Sequence, residues 1–220
     1  LQHSDVMPDT PTDGFATLNA LANYTGGSLS EGNLRVSTGS SQFGPASATF
    51  ARSSGKWYAE FSSTSTSGDT RIGAVRVDTA LSTTYDLGNS GSFAYRQNDG
   101  NKKIDGTQSS YGATWAASDI IGIALNLDDN EVTFYKNNSS QGTFSITAGE
   151  YFIAISDGDS GAGGNYLANF GQDSSFNANK IAQGNADDNG KGDFYYTPPS
   201  GFLALCNANL PDPAIDPNKG

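Results

Sequence analysis

The chain has 220 residues, with 12 Lys and Arg against 23 Asp and Glu, and a formal charge of −11. That balance repels phosphate backbones and anionic headgroups, which excludes nucleic acid and membrane surfaces as partners. Cys206 is the only cysteine, so no internal disulfide and no thiolate metal cluster can form within one chain.

Residues 1–32 have scattered apolar positions, early prolines and no sustained period, which predicts an extended arm packing on the body through Phe15, Leu18 and Leu21. The sequence opens on Leu1 without a basic stretch and an apolar stretch behind it. It is therefore read as a processed product or a piece of something longer, with no signal peptide in view. No run approaches the ~20 apolar residues of a membrane span.

From Asn33 the punctuation becomes regular. The segments NLRVS, SATFAR, KWYAEFSS, TRIGAVRV and SFAYRQ alternate apolar and polar residues between Gly, Asn, Asp and Ser clusters, as half-buried strands do. NDGN at 98–101 is a hairpin turn signal. Ser118 to Asn138 reads as a second hairpin. Extended, it sets Ile121, Ile123, Leu125 and Leu127 on one face and Ile120, Gly122, Ala124 and Asn126 on the other, then turns at Asp128–Asn130 into Val132 and Phe134. One face is greasy and the other is small. GTFSIT, YFIAIS and NYLANF complete nine or more strands without a fixed repeat, so the body, 33–172, is predicted to be an all-β sandwich. Beyond it, 173–220 is expected to be a loop-rich tail in which Phe202–Leu205 is the only ordered element.

Four blocks of this body resemble SPRY domains in residues and in order: SGKWYAEFSS, RIGAVRV, SFAYRQNDG and 111–146. The last is the most specific. Trp115, Asp119, Ile121, Gly122, Leu127, Asp128, Phe134 and Asn137 occupy the positions of the family's Trp, acidic residue, Ile-Gly, acidic turn and Phe-x-x-Asn, while Asn138 stands where Gly is usual. The resemblance covers roughly 50–170 and implies two bent antiparallel sheets of the concanavalin A-like kind. The flanks, DTPTDGFATLNAL and GDFYYTPPSGFLALCNANLPDPAI, resemble sequences around SPRY-like domains in tailed-phage structural proteins. They imply a virion or tail-fibre module in which extended arms contact other virion subunits, with the chain forming a homo-oligomer.

Catalysis finds little support. Retaining glycoside hydrolysis needs two carboxyl groups about 5–5.5 Å apart, and none of Glu31, Glu60, Glu131 and Glu150 lies in the Glu-x-Asp-x-x-Glu pattern of sandwich hydrolases. Glu60 occupies a position where SPRY domains also carry Glu, which implies a structural carboxylate. His3 in the arm and Cys206 beyond the sandwich leave no home for a nucleophilic triad. No cofactor is expected. SDGDSG at 156–161 and NADDNGKGD at 185–193 offer oxygen ligands of the kind calcium takes, but without EF-hand spacing they read as solvated acidic loops.

Binding is the remaining class. Tyr85, Asp86, Tyr95, Arg96 and Tyr111 fall at expected strand ends and loops, where aromatic and Arg side chains anchor partners or stack on sugars. Trp57 and Trp115 are assigned to the core. The reading is a non-enzymatic virion module that recognises a partner, a host-surface protein or a glycan. A secreted carbohydrate-binding module of extracellular location is the alternative, and a divergent glycosidase the third.

Overall fold

The computed structural model describes residues 13–39, 44–66, 68–158 and 163–211. Their strands are β1 (Leu18–Asn23), β2 (Ser28–Ser30), β3 (Arg35–Ser37), β4 (Pro45–Arg52), β5 (Lys56–Ser65), β6 (Thr70–Arg76), β7 (Ser92–Arg96) and β8 (Lys102–Ile104). The chain continues through β9 (Thr107–Ser109), β10 (Ile121–Asn126), β11 (Glu131–Lys136), β12 (Ser139–Ser145), β13 (Tyr151–Asp157), β14 (Asn165–Asn169) and β15 (Leu203–Ala204). A 3₁₀ turn follows at Asn207–Asn209. Every expected strand of the body is present, and the fold is the expected all-β sandwich.

A seven-stranded sheet runs β1-β4-β13-β6-β7-β8-β9, and an eight-stranded sheet runs β12-β11-β10-β5-β14-β3-β2 with β15 beside β5. Alternation along each strand decides what lies between them. Trp57, Ala59 and Phe61 of β5, Ile121, Ile123 and Leu125 of β10, and Val132 and Phe134 of β11 meet Ile72 and Ala74 of β6, Phe93 and Tyr95 of β7, and Ile153 and Ile155 of β13. The register is continuous across the centre, with Ile123 opposite both Phe134 and Ala59. One end of the core is aromatic, where Tyr111 stands edge-on to Tyr95 and Phe144 at centroid distances of 5.4 and 5.1 Å. Such pairs contribute about 0.5–1.5 kcal/mol each beyond their burial.

The turns explain two features of the sequence. Asp128 Oδ1 accepts the Gly55 N–H at 2.7 Å, and the Leu127 N–H donates to Gly55 O, so the acidic turn fastens the β4–β5 connection. Asn137 and Asn138 have φ of 47° and 67°. Two successive positive φ values make a two-residue hairpin loop whose twist matches the strands, and Asn tolerates that region better than other side-chain-bearing residues. The departure from Gly at 138 is thereby accommodated.

The ends differ from expectation. Residues 13–32 supply β1 to one sheet and β2 to the other. Phe15 and Leu18 are buried as expected, but Leu21 is 94% exposed. The reason is a bulge: β1 pairs with β4 at Leu18 and Asn23 with a register shift between them, which throws Leu21 outward. The C-terminal segment is an ordered third layer. β15 runs parallel to β5 at Trp57 and Tyr58, while β14 runs antiparallel to β5 from Glu60 onward, so the two share one edge of the same strand. Phe194, Ala204 and Cys206 pack with Phe15, Tyr58 and Ala124, and Phe176 packs with Ile120 and Leu167, all on the outer face of the eight-stranded sheet. Order therefore extends well beyond Phe202–Leu205. The small residues of β10 lie under this layer, and a Cβ on Gly122 would stand 2.6 Å from the Tyr58 hydroxyl.

Candidate functional site

Of the five residues expected to bind, two belong to the core, two to a charged patch and one to the loop beside that patch. Tyr95 is a correction: it is fully buried, because β7 alternation turns Phe93 and Tyr95 into the sandwich. Its hydroxyl donates to Ala113 O, and burial raises its pKa above the usual tyrosine value. Tyr111 closes the same end of the core. Its hydroxyl donates to Gly142 O at 2.5 Å and accepts the Phe134 N–H at 3.0 Å, with burial pushing its pKa up to about 12. Both behave as structural aromatics.

Asp86 and Arg96 come together on the outer face of the seven-stranded sheet. Cross-strand pairing places Arg71 of β6 opposite Arg96 of β7, an arrangement that is unfavourable unless carboxylates intervene. They do. Asp69 receives Arg71 Nη2 at 2.7 Å and Arg96 Nη2 at 3.0 Å. Asp86 pairs with Arg71 and with Lys103 Nζ of β8, the latter at 2.7 Å. Arg96 Nη1 also donates to Asp99 Oδ2 at 2.8 Å and to Gln108 Oε1 at 2.7 Å. Gly158 closes over this group, and a Cβ there would come within 2.6 Å of Asp69.

The electrostatics follow from burial. Desolvation lowers the Arg71 pKa against the opposing pull of Asp69, and lowers that of Lys103 with Arg71 and Arg96 adding repulsion. Three cations and three carboxylates balance, so the patch is neutral on a chain of charge −11. It also gathers three of only 12 Lys and Arg. Tyr85 borders it without joining it. The Tyr85 hydroxyl lies 2.9 Å from Ser90 O and 2.8 Å from Ser92 Oγ, fixing the loop that carries Asp86.

Sequence reasoning missed Asp69, Arg71, Lys103, Asp99 and Gln108. Only the strand register reveals them, although the Asp-x-Arg spacing of 69–71 opposite Tyr-Arg of 95–96 was a usable signal.

Two other candidate groups have structural roles. Glu60 is fully buried, and all four of its neighbours donate: Tyr195 N–H and Tyr196 N–H, each at 2.8 Å, Tyr58 Oη at 3.2 Å and Asn169 Nδ2 at 3.3 Å. Burial pushes its pKa up to about 7 against the pull of these donors. Asp119 Oδ2 accepts the Ala116 N–H, and its Oδ1 accepts Asn137 Nδ2; together with Lys136 these bonds outweigh burial and hold it below the usual carboxylate value. The SPRY-like Asp119–Gly122 and Phe-x-x-Asn elements thus brace one another.

The 185–193 loop spends its carboxylates on the chain itself. Asp187 accepts from Asn189, Lys191, Ala204 and Asn209, and Asp188 from Ser200 and Gly201. Among the described residues no group of three His, Cys, Asp or Glu side chains is disposed around a metal position. Half of SDGDSG, and His3, lie outside the described residues.

Solved structures share this architecture. The SPRY domain of human HERC1 superposes with a TM-score of 0.55 at 18% identity, over 74% of this chain and 96% of its own. The PSpry domain of TRIM65 gives 0.56 at 14% identity, over 70% and 91%. Stonustoxin gives 0.56 at 16%, over 70% of this chain but only 28% of its own length. At these identities the likeness establishes the fold. The SPRY domain family model matches residues 56–173, more than half of the sequence, and on that match, laid over the two-sheet sandwich, the chain belongs to the SPRY domain family.

Proposed function

We propose that this SPRY domain is a non-catalytic protein-docking module of a virion, and that the patch around Asp86 and Arg96 is its docking face. SPRY domains are protein–protein interaction modules and are generally non-catalytic. The observation that carries the reading is the neutral, prearranged patch on an acidic chain. Another acidic subunit is repelled over most of this surface but not there, and fixed charges set register and partner choice more than raw affinity. Placement in a virion, among like subunits, rests on the resemblance of the flanks to phage structural proteins. An extracellular location is the alternative. No calcium is needed under this reading, since the 185–193 carboxylates already have partners.

The N-terminal arm packs on the body through Phe15 and Leu18, as expected of it. Phe15, Leu18, Phe176 and Phe194 are buried against this chain's own sheets, so residues 13–32 and 173–211 serve the fold before any neighbour. Asp99→Lys combined with Gln108→Glu tests the docking face at its exposed rim. Retention by purified particles should fall at least tenfold while the melting temperature shifts by less than about 3 °C; undiminished retention would place docking elsewhere.

A further inference from the structure

A groove of about 250 Å³ opens away from the charged patch, between the β2–β3 turn, β14 and the loop after it. Its apolar lining is Leu34, Leu167, Ala168 and Phe176, each no more than 7% exposed. Glu31 and Asp173 also line it. Glu31 is exposed, and neither carboxylate is paired with a lysine or arginine among the described residues. Asp173 is held by neutral donors only, the N–H and Oγ of Ser175 and the N–H of Asn177, so its charge is uncompensated.

Both walls are built from left-handed backbone. Glu31 and Asn33 on one side have φ of 53° and 63°, and Phe176, Asn177 and Ala178 on the other have 49°, 55° and 58°. Three such residues in succession without glycine carry strain of the kind that gathers at binding sites. Phe176 packs on Leu167 and lines the groove.

Size and charge select the occupant. Drug-sized ligands take pockets of about 300–1,000 Å³, so this groove accommodates a single side chain or a fragment. Glu31 at the exposed rim and Asp173, 6% exposed, in the wall beneath it favour a cation on a hydrocarbon stem, which buries its methylenes on the apolar floor and holds its charged end against the carboxylates. A planar guanidinium reaches two carboxylates at once where an ammonium is a point charge. The charge of −11 draws cationic partners toward it.

We propose that this groove seats an arginine side chain of a partner polypeptide, its stem on Leu34, Leu167 and Phe176 and its guanidinium on Glu31 and Asp173. The groove lies on the eight-stranded sheet and the charged patch on the other, so either assignment stands if the other fails.

The test is amide chemical-shift titration of the whole chain at physiological salt with N-acetyl-arginine methylamide, up to about 10 mM, the range in which a fragment of this size binds. The neutral citrulline analogue and the lysine analogue serve as controls. Saturable shifts confined to 31–34 and 167–177 are expected, with affinity at least threefold weaker for lysine, at least threefold weaker in the Glu31→Gln variant, and no saturation with citrulline. Equal binding of citrulline or lysine, an unchanged Glu31→Gln affinity, or shifts scattered over remote carboxylates would overturn the assignment.

Discussion

Glu60 Oε1 accepts the backbone N–H of Tyr196 at 2.8 Å, joining residues 136 positions apart in sequence. With the Tyr195 N–H on Oε2, the bond ties the C-terminal layer to the middle of β5. The pairing fastens a segment that has little regular secondary structure to the sandwich.

Stability should fall as pH rises because of Glu60. Its folded pKa of about 7 lies above the ordinary 4.5, so the folded state binds the extra proton. The associated stability is fully present below about 4.5 and lost as pH rises through about 7, an effect of order 3 kcal/mol. Urea denaturation from pH 4.5 to 8 should show this decline. Glu60→Gln should flatten it, because the amide does not titrate. An unchanged slope in the variant would assign the pH dependence to another group.

Removing the C-terminal layer should unfold the sandwich. A fragment ending at residue 173, where the family match ends, exposes Tyr58, Ile120, Ala124 and Leu167 and strips Glu60 of two of its donors. Circular dichroism and thermal melting should show a fragment without a cooperative transition near that of the whole chain. A fragment melting within about 3 °C of it would make the layer an accessory.

Ile123→Ala should cost about 2–5 kcal/mol, since Ile123 is fully buried at the centre of β10 and little can collapse into the space. Gly122→Ala, one position along, acts on the other face. Its new methyl displaces the Tyr58 hydroxyl from Glu60 and should cost about 1–3 kcal/mol. Chemical denaturation checks both, and a loss under about half a kcal/mol in either would contradict the packing described.

Chelation should change nothing. The acidic loop at 185–193 is already fastened by Asp187 and Asp188 to backbone N–H groups. The melting temperature in EDTA should therefore match that in millimolar calcium within about 1 °C. A drop of about 5 °C, reversed by calcium, would reveal an ion site.

The long strands were legible because alternation reports which face is buried, as in Ile121, Ile123 and Leu125 against Gly122 and Ala124. The hairpin turn at Asn98–Asn101 was legible from its Asn-Asp-Gly-Asn run, and β7 and β8 pair across it. β8, β9 and β15 have two or three residues each, too few to show a period. The third layer has no local signature, because Phe176, Phe194 and Tyr196 become structural only through contacts with distant strands. One signal was present: a β10 face reduced to Gly and Ala beside Tyr58 and Glu60 belongs to a covered sheet. Tyr95 and Arg96 show the same limit at the site. Adjacent in sequence and both placed at a strand end, they point to opposite faces, one into the core and the other into a charge network.

Hydrogen exchange of purified virus particles against the free chain tests the docking account most directly. The account predicts that the chain is present in the particle at fixed copy number, with added protection concentrated at 84–99 and 102–109, around Asp86, Arg96 and Lys103. Absence of the chain from particles, or protection confined to other surfaces, would contradict it.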